Sequence, residues 1–169
     1  MMLSKLPDLN CTLVDLSRPM LDRALERVSK QTKNTVNVLQ GDIRNIELKE
    51  NYFDIILAGA VLHHLREDQD WRKVFNKLYK LLKPAGCLMI SDLITQDNEL
   101  LTKYTWQKYA DYLERIGGQE YRQKVLAYVE KEDSPRSITY QLDLLKTVGF
   151  KAVEILHKNI CSGAFCGIK

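Results

Sequence analysis

With 169 residues, 45% of them hydrophobic and 28% charged, the chain is long enough for one domain with a real core and too short for two comfortable ones. That composition excludes a disordered chain. A formal net charge of +3 speaks for no nucleic-acid partner, although it leaves an RNA acceptor open, and no apolar run approaches the roughly 18 residues of a membrane span.

Cys11, Cys87, Cys161 and Cys166 form no CxxC pair, and only His157 stands near the last two. A zinc site built on cysteines wants tighter pairs and four convergent ligands, so no metal is expected. The four read as reduced thiols of a cytoplasmic protein, and Met1 to Lys5 have no signal-peptide architecture.

Short β-branched runs alternate with longer amphipathic ones. Cys11 to Asp15 predicts a buried strand ending in an acid. From Ser17 to Lys30 a helix is expected, with Ser17 as N-cap, Pro19 in the first turn and Met20, Leu21, Ala24, Leu25 and Val28 as its apolar face. Val36 to Gln40 predicts the second strand, ending at Gly41-Asp42. Tyr52 to Leu57 is a nearly continuous apolar run, as a parallel strand buried on both faces requires. The spacing of Trp71, Val74, Phe75, Leu78, Leu81 and Leu82 predicts a helix over 67–82. Lys83-Pro84-Ala85-Gly86 stops it, because proline cannot continue a helix. A strand over 87–93 follows. Helices are expected over 98–116 and 119–130, parted by Gly117-Gly118, and over 137–148 with Gly149 as the stop. Strands over 151–157 and 164–168 close the chain.

Strand–helix alternation implies a parallel sheet covered by helices on both faces. The last two strands are joined by too few residues for a parallel crossover, so they must be antiparallel. The fold class is therefore α/β, a doubly wound, mostly parallel sheet with a C-terminal antiparallel hairpin. The whole chain, 1–169, reads as one domain.

In open α/β sheets, ligands bind beyond the carboxyl ends of the strands. The residues there are Asp15, Gly41-Asp42-Ile43, Ala58-Gly59 and Ser91-Asp92. A carboxylate ending the first strand can accept both hydroxyls of a ribose. A second acid followed by an apolar residue suits an adenine, with Asp42 accepting from the amine and Ile43 packing the ring. Each acid alone is also a common turn or cap residue. Together they favour a nucleoside ligand no more than evenly.

Several segments resemble the class I S-adenosylmethionine-dependent methyltransferases. Leu13-Val14-Asp15-Leu16-Ser17-Arg18-Pro19-Met20-Leu21 is similar to their second motif, and Gln40-Gly41-Asp42-Ile43 to the third. Phe53-Asp54-Ile55-Ile56-Leu57 with Val61-Leu62-His63-His64-Leu65 resembles the fourth. Leu81 to Gly86 resembles the turn before the fifth strand, and Gln141 to Phe150 the helix feeding the closing hairpin. The resemblance implies S-adenosyl-L-methionine as cofactor and a Rossmann-like sheet of seven strands. It implies that Asp15 holds the ribose, that Leu16 and Met20 flank the adenosine, that Asp42 and Ile43 recognise adenine, and that Ala58 or Gly59 lines the methionine end. Many members carry Asn where Gly59 stands, so one side-chain hydrogen bond is missing.

Members of that family also open with a central strand and a glycine-rich turn. Here Leu6-Pro7-Asp8-Leu9 resembles the end of the helix after that turn, so the sequence reads as N-terminally truncated. The strands ending at Asp15 and Leu57 would then keep open edges unless they pair with each other or with another chain, as in a homodimer.

Methyl transfer asks the protein to position the acceptor and to remove one proton. Candidate catalysts are His63 and His64, either of which also suits a structural role. The helical insertion at about 97–131 is expected to form a lid over a small-molecule acceptor, with Tyr104 and Trp106 as contacts. Its Trp106, Tyr109 and Leu113 equally suit a packing face. A weaker similarity, to enzymes that carboxymethylate a tRNA wobble uridine, would assign Arg122 to a cofactor carboxylate. The alternative to an enzyme is a methyltransferase-like module that binds or dimerises without transferring. A dinucleotide dehydrogenase is disfavoured by the closing hairpin and by the absence of GxGxxG.

Overall fold

The structure is a computed structural model and describes residues 8–169. The expected helix end at Leu6-Pro7 lies outside the described residues. The chain forms two compact units that meet in sequence between Leu48 and Lys49.

In the first unit, β1 (Cys11–Asp15) and β2 (Val36–Gln40) pair in parallel, in register from Cys11 opposite Val36 to Asp15 opposite Gln40. The helix between them, α1 (Arg18–Ser29), begins where the sequence predicts. Ser17 Oγ accepts from the Met20 N–H, Pro19 occupies the first turn, and Leu21 is the residue driven fully inside. Thr32 closes the crossover by donating its hydroxyl to the Leu9 carbonyl at 2.8 Å.

The second unit carries β3 (Phe53–Gly59), a 3₁₀ turn (Leu62–His64), α2 (Asp68–Leu81), β4 (Leu82–Leu93), α3 (Glu99–Glu132), α4 (Ile138–Val148), β5 (Ala152–Asn159) and β6 (Ser162–Ile168). Its sheet runs β3-β4-β6-β5. β3 and β4 are parallel, whereas β6 is antiparallel to both of its neighbours. This is the closing hairpin that the short connection required. Among the described residues β1 is bonded to β2 alone and β3 to β4 alone, and these two strands are the ones whose edges the sequence leaves open.

The core of this unit lies where α2 and α4 pack together and α2 meets β4. Trp71, Val74, Phe75, Leu82, Leu88, Ile94, Leu145 and Phe165 are all fully buried. β1, expected buried, is half-buried throughout, and in β3, expected buried on both faces, Asp54 and Leu57 are exposed. Leu82, read as the end of a helix, and residues 83–86, read as the turn after it, belong to β4, with a bulge opposite Phe53–Ile55. Ala85 still turns, at φ 62°, and Lys169 ties the segment down: Ala85 N–H donates to the Lys169 carbonyl at 3.1 Å, and Lys169 N–H donates to the Gly86 carbonyl at 3.0 Å. Helix α3 is kinked at Gly118, whose backbone is non-helical (φ 81°, ψ 178°), so that it falls into the two predicted pieces. Only glycine takes that backbone without strain.

Gly149 ends α4 at φ 114°, where an added Cβ would also meet the Tyr79 ring at 3.0 Å. Gly149→Ala is expected to lower stability by roughly 1–3 kcal/mol through that strain. Urea unfolding followed by circular dichroism measures it, and an unchanged midpoint would refute the strained-cap assignment. Among the described residues no helix is long and apolar enough to cross a membrane, and all four cysteines are free thiols.

Candidate functional site

The ends of β1 and β2 lie side by side because Gly41 N–H donates to the Asp15 carbonyl at 3.0 Å. Asp15 then turns the chain into α1, its Oδ1 accepting from Ser17 N–H at 2.7 Å. Next to this carboxylate stand two large apolar side chains that the fold leaves outside, Leu16 (65% exposed) and Met20 (53%). Exposed apolar surface beside a strand-end acid is the donor set expected for a ribose with a ring against it. Asp42 behaves differently. Its carboxylate accepts from the Arg44 N–H at 2.8 Å and from Nε and Nη2 of Arg44 at 2.9 and 2.6 Å. Ile43, beside it, is half-buried.

In the second unit, β3 ends at Ala58-Gly59, and a Cβ built on Gly59 would meet nothing within 4 Å. The small residues therefore leave open space at the strand end, as a closely approaching ligand needs. Ala60 follows at φ 52°, an uncommon backbone for a residue with a side chain, and its N–H donates to the Ser91 carbonyl at 2.9 Å. That sharp turn delivers Leu62, His63 and His64 to the end of the neighbouring strand β4.

There Asp92, only 4% exposed, collects three donors. Oδ2 accepts from Leu62 N–H at 2.7 Å, and Oδ1 accepts from Leu93 N–H at 2.7 Å and from Nδ1 of His63. The pair fixes the imidazole's tautomer, with Nδ1 as donor and Nε2 pointing elsewhere. Burial works against charge on His63, but the hydrogen bond and charge of Asp92, with the charge of Asp133, outweigh it and raise the pKa above its ordinary value. Asp133, at the end of α3, approaches from the other side. Its Oδ1 lies 3.7 Å from Nε2 of His63 and 2.9 Å from Nδ1 of His64. The two rings are 4.2 Å apart. Ser134 N–H, donating to the His63 carbonyl at 2.6 Å, pins this loop to the histidines.

The predicted acceptor contacts are more scattered. Trp106 and Tyr109 meet edge to face at 5.8 Å and are half-buried, with Ala110 and Leu113 buried along the same helix. Tyr104 is 61% exposed, with the Lys108 ammonium over its ring. Arg122 spans the Gly118 break to reach Glu114 at 2.6 Å, so its charge is met within the helix. His157 is exposed on the outer strand β5. Sequence reasoning noticed Asp92 as a strand end without a role and missed Asp133 entirely. Asp133 sits in the run Lys131-Glu132-Asp133-Ser134, which reads as a solvated charge cluster, and only a contact some seventy positions back along the chain sets it apart.

Parallel strand pairs in each unit, with a reversed last strand in the second, are the elements of a Rossmann-like fold. Human N-acetylserotonin methyltransferase, solved in complex with S-adenosylmethionine, shares this fold at a TM-score of 0.60 and 18% identity, over 95% of this chain and 40% of that one. Phosphoethanolamine N-methyltransferase 2 of Haemonchus contortus does so at 0.62 and 18%, over 95% and 44%. In sequence, the demethylmenaquinone methyltransferase of Listeria welshimeri is 25% identical over 167 residues, covering 96% of this chain and 69% of that enzyme. The chain thus spans about two thirds of this curated relative and less than half of those two solved structures. The family model described as "Methyltransferase domain" matches residues 1–90, more than half of the chain. The chain belongs to the methyltransferase domain family.

Proposed function

We propose that this chain transfers a methyl group from S-adenosylmethionine to a hydroxyl-bearing aromatic small molecule, and that a demethylated menaquinol is the acceptor to try first. The observation that carries the acceptor half is the buried His63–Asp92 pair at the joined ends of β3 and β4. A strand-end histidine of purely structural use needs no second carboxylate, yet Asp133 faces its Nε2. The name of the Listeria relative supplies the acceptor class.

In this reading Asp15 accepts the ribose hydroxyls and Leu16 and Met20 flank the adenosine. Asp42 and Ile43 meet adenine, which requires Asp42 to give up part of its grip on Arg44. Ala58 and Gly59 leave room for the methionine end. Bound there, the cofactor supplies a methyl carried on a sulfonium, already attached to a good leaving group. What remains for the protein is to hold the acceptor oxygen or ring carbon in line and to take up its proton. His63 is the residue for the proton, because Asp92 claims Nδ1 and leaves the Nε2 lone pair presented; His64 stands beside it. Residues 97–131 cover the acceptor, with Tyr104 and Trp106 as its contacts.

Calorimetric titration with S-adenosylhomocysteine tests the cofactor half. The chain is expected to bind, and Asp15→Ala to lose roughly 1.5–3 kcal/mol, a typical loss for a hydrogen bond to a charged group and about 10- to 150-fold in affinity. Equal affinity in the variant would remove Asp15 from the site. Transfer of labelled methyl to a demethylated menaquinol tests the acceptor half. Binding without transfer would favour a cofactor-binding module instead.

A further inference from the structure

Asp92 dictates an electrostatic problem at His63. With Nδ1 donating to Asp92, Nε2 carries a lone pair, and that lone pair faces the Asp133 carboxylate oxygen across 3.7 Å. Two electron-rich atoms held that close, with the Asp133 side chain only 3% exposed, repel one another unless a proton or a metal cation lies between them. Asp133 Oδ1 is indeed buried without a well-directed hydrogen bond, although Nδ1 of His64 is 2.9 Å from it.

We propose that His63 Nε2, His64 Nδ1 and the Asp133 carboxylate bind a divalent transition-metal cation, with Asp92 as the outer carboxylate that orients His63. The three ligand atoms all lie within 4.8 Å of one another, close enough to share one ion. Two imidazoles and one carboxylate suit zinc, cobalt or iron(II) rather than magnesium or calcium, which prefer oxygen. A carboxylate on the far nitrogen of a ligating histidine is the usual support of such sites. Three protein ligands leave positions open, as in catalytic rather than structural centres. His64, 46% exposed on its side chain, gives the ion a way in from solvent.

This deepens the acceptor half of the reading above and rests on it only for the use of the ion. With the ion bound, an acceptor hydroxyl on it is acidified and gives its proton to solvent water, and Nε2 of His63 takes the proton, as above, only in the metal-free chain. The cysteines, on which the sequence expectation of no metal rested, play no part.

The test is titration of the chelator-stripped chain with Co²⁺ alone, followed in the visible spectrum, and then with Zn²⁺ by calorimetry. One ion per chain is expected, with a cobalt spectrum of low coordination number. Asp133→Ala and His64→Ala should each weaken binding at least tenfold, and Asp92→Asn should weaken it about 10- to 100-fold as an outer-shell change. Asp133→Asn substitutes for the alanine variant if that one does not fold. S-adenosylhomocysteine titrated into the same samples reports the cofactor site separately: its failure sinks the methyl-transfer reading and leaves the metal result standing. A wild-type chain that binds the nucleoside but no cobalt would overturn the cation, and a proton on Nε2 would then fill the gap. Cobalt binding unchanged in both the Asp133 and His64 variants would overturn it as well, by moving the ion elsewhere.

Discussion

Replacing Trp71 by alanine is expected to cost about 3–5 kcal/mol of stability, the usual range for deleting a large buried aromatic. Trp71 is fully buried and sits against Phe75 at 5.8 Å and edge-on to Tyr140 of α4 at 6.0 Å. The loss would exceed that of an ordinary core residue because Nε1 also donates to the Leu65 carbonyl at 2.7 Å. Removing the indole therefore empties a large volume and strips a partner from a backbone group of the histidine loop. Circular dichroism during urea unfolding is the proper readout, since tryptophan fluorescence itself changes with the substitution. Trp71→Phe should recover most of the packing and none of the hydrogen bond, giving an intermediate midpoint. An alanine variant within about 1 kcal/mol of the parent would mean that α2 is not the keystone described above.

The second large effect is expected at Asp92. Asp92→Ala should destabilise by about 3–5 kcal/mol, because it leaves the buried Nδ1 of His63 and two backbone N–H groups, those of Leu62 and Leu93, without their acceptor. Asp92→Asn keeps one oxygen but sets an NH₂ group where an acceptor is needed, so it should fall between the two. A double-mutant cycle with His63→Ala separates the pair from the backbone caps. The coupling energy is expected to lie within about 0.5–3 kcal/mol, favourable to the pair. A coupling near zero would mean that Asp92 serves only the two amides, and the positioning of His63 would need another cause.

Much of this protein is legible in its residues. Short β-branched runs and period-3.6 patterns place the strands and helices to within a few residues, because both signals are local to the element that buries them. Ser17, Pro19 and Gly149 mark helix ends through capping chemistry that acts over a few positions. Even the reversal of β6 follows from chain length alone, since the short stretch 158–163 between the two expected strands cannot make a parallel crossover. The acids ending β1 and β2 are readable for the same reason, lying at strand ends that the pattern already fixes.

What lay beyond the sequence depends on residues far apart along the chain or on where nearby side chains reach. The extension of β4 back to Leu82 exists because Lys169 returns to bond with Ala85 and Gly86, and no local signal announces a partner that distant. Arg44 taking hold of Asp42, and Glu114 meeting Arg122 across the Gly118 break, depend on side-chain reach that spacing does not give. Above all, the gathering of His63, His64, Asp92 and Asp133 is a tertiary fact. Two adjacent histidines and two scattered aspartates are chemically ordinary in the sequence. They become a site only when the turn at Ala60 and the end of α3 bring their lone pairs within a few ångströms, where charge must be neutralised.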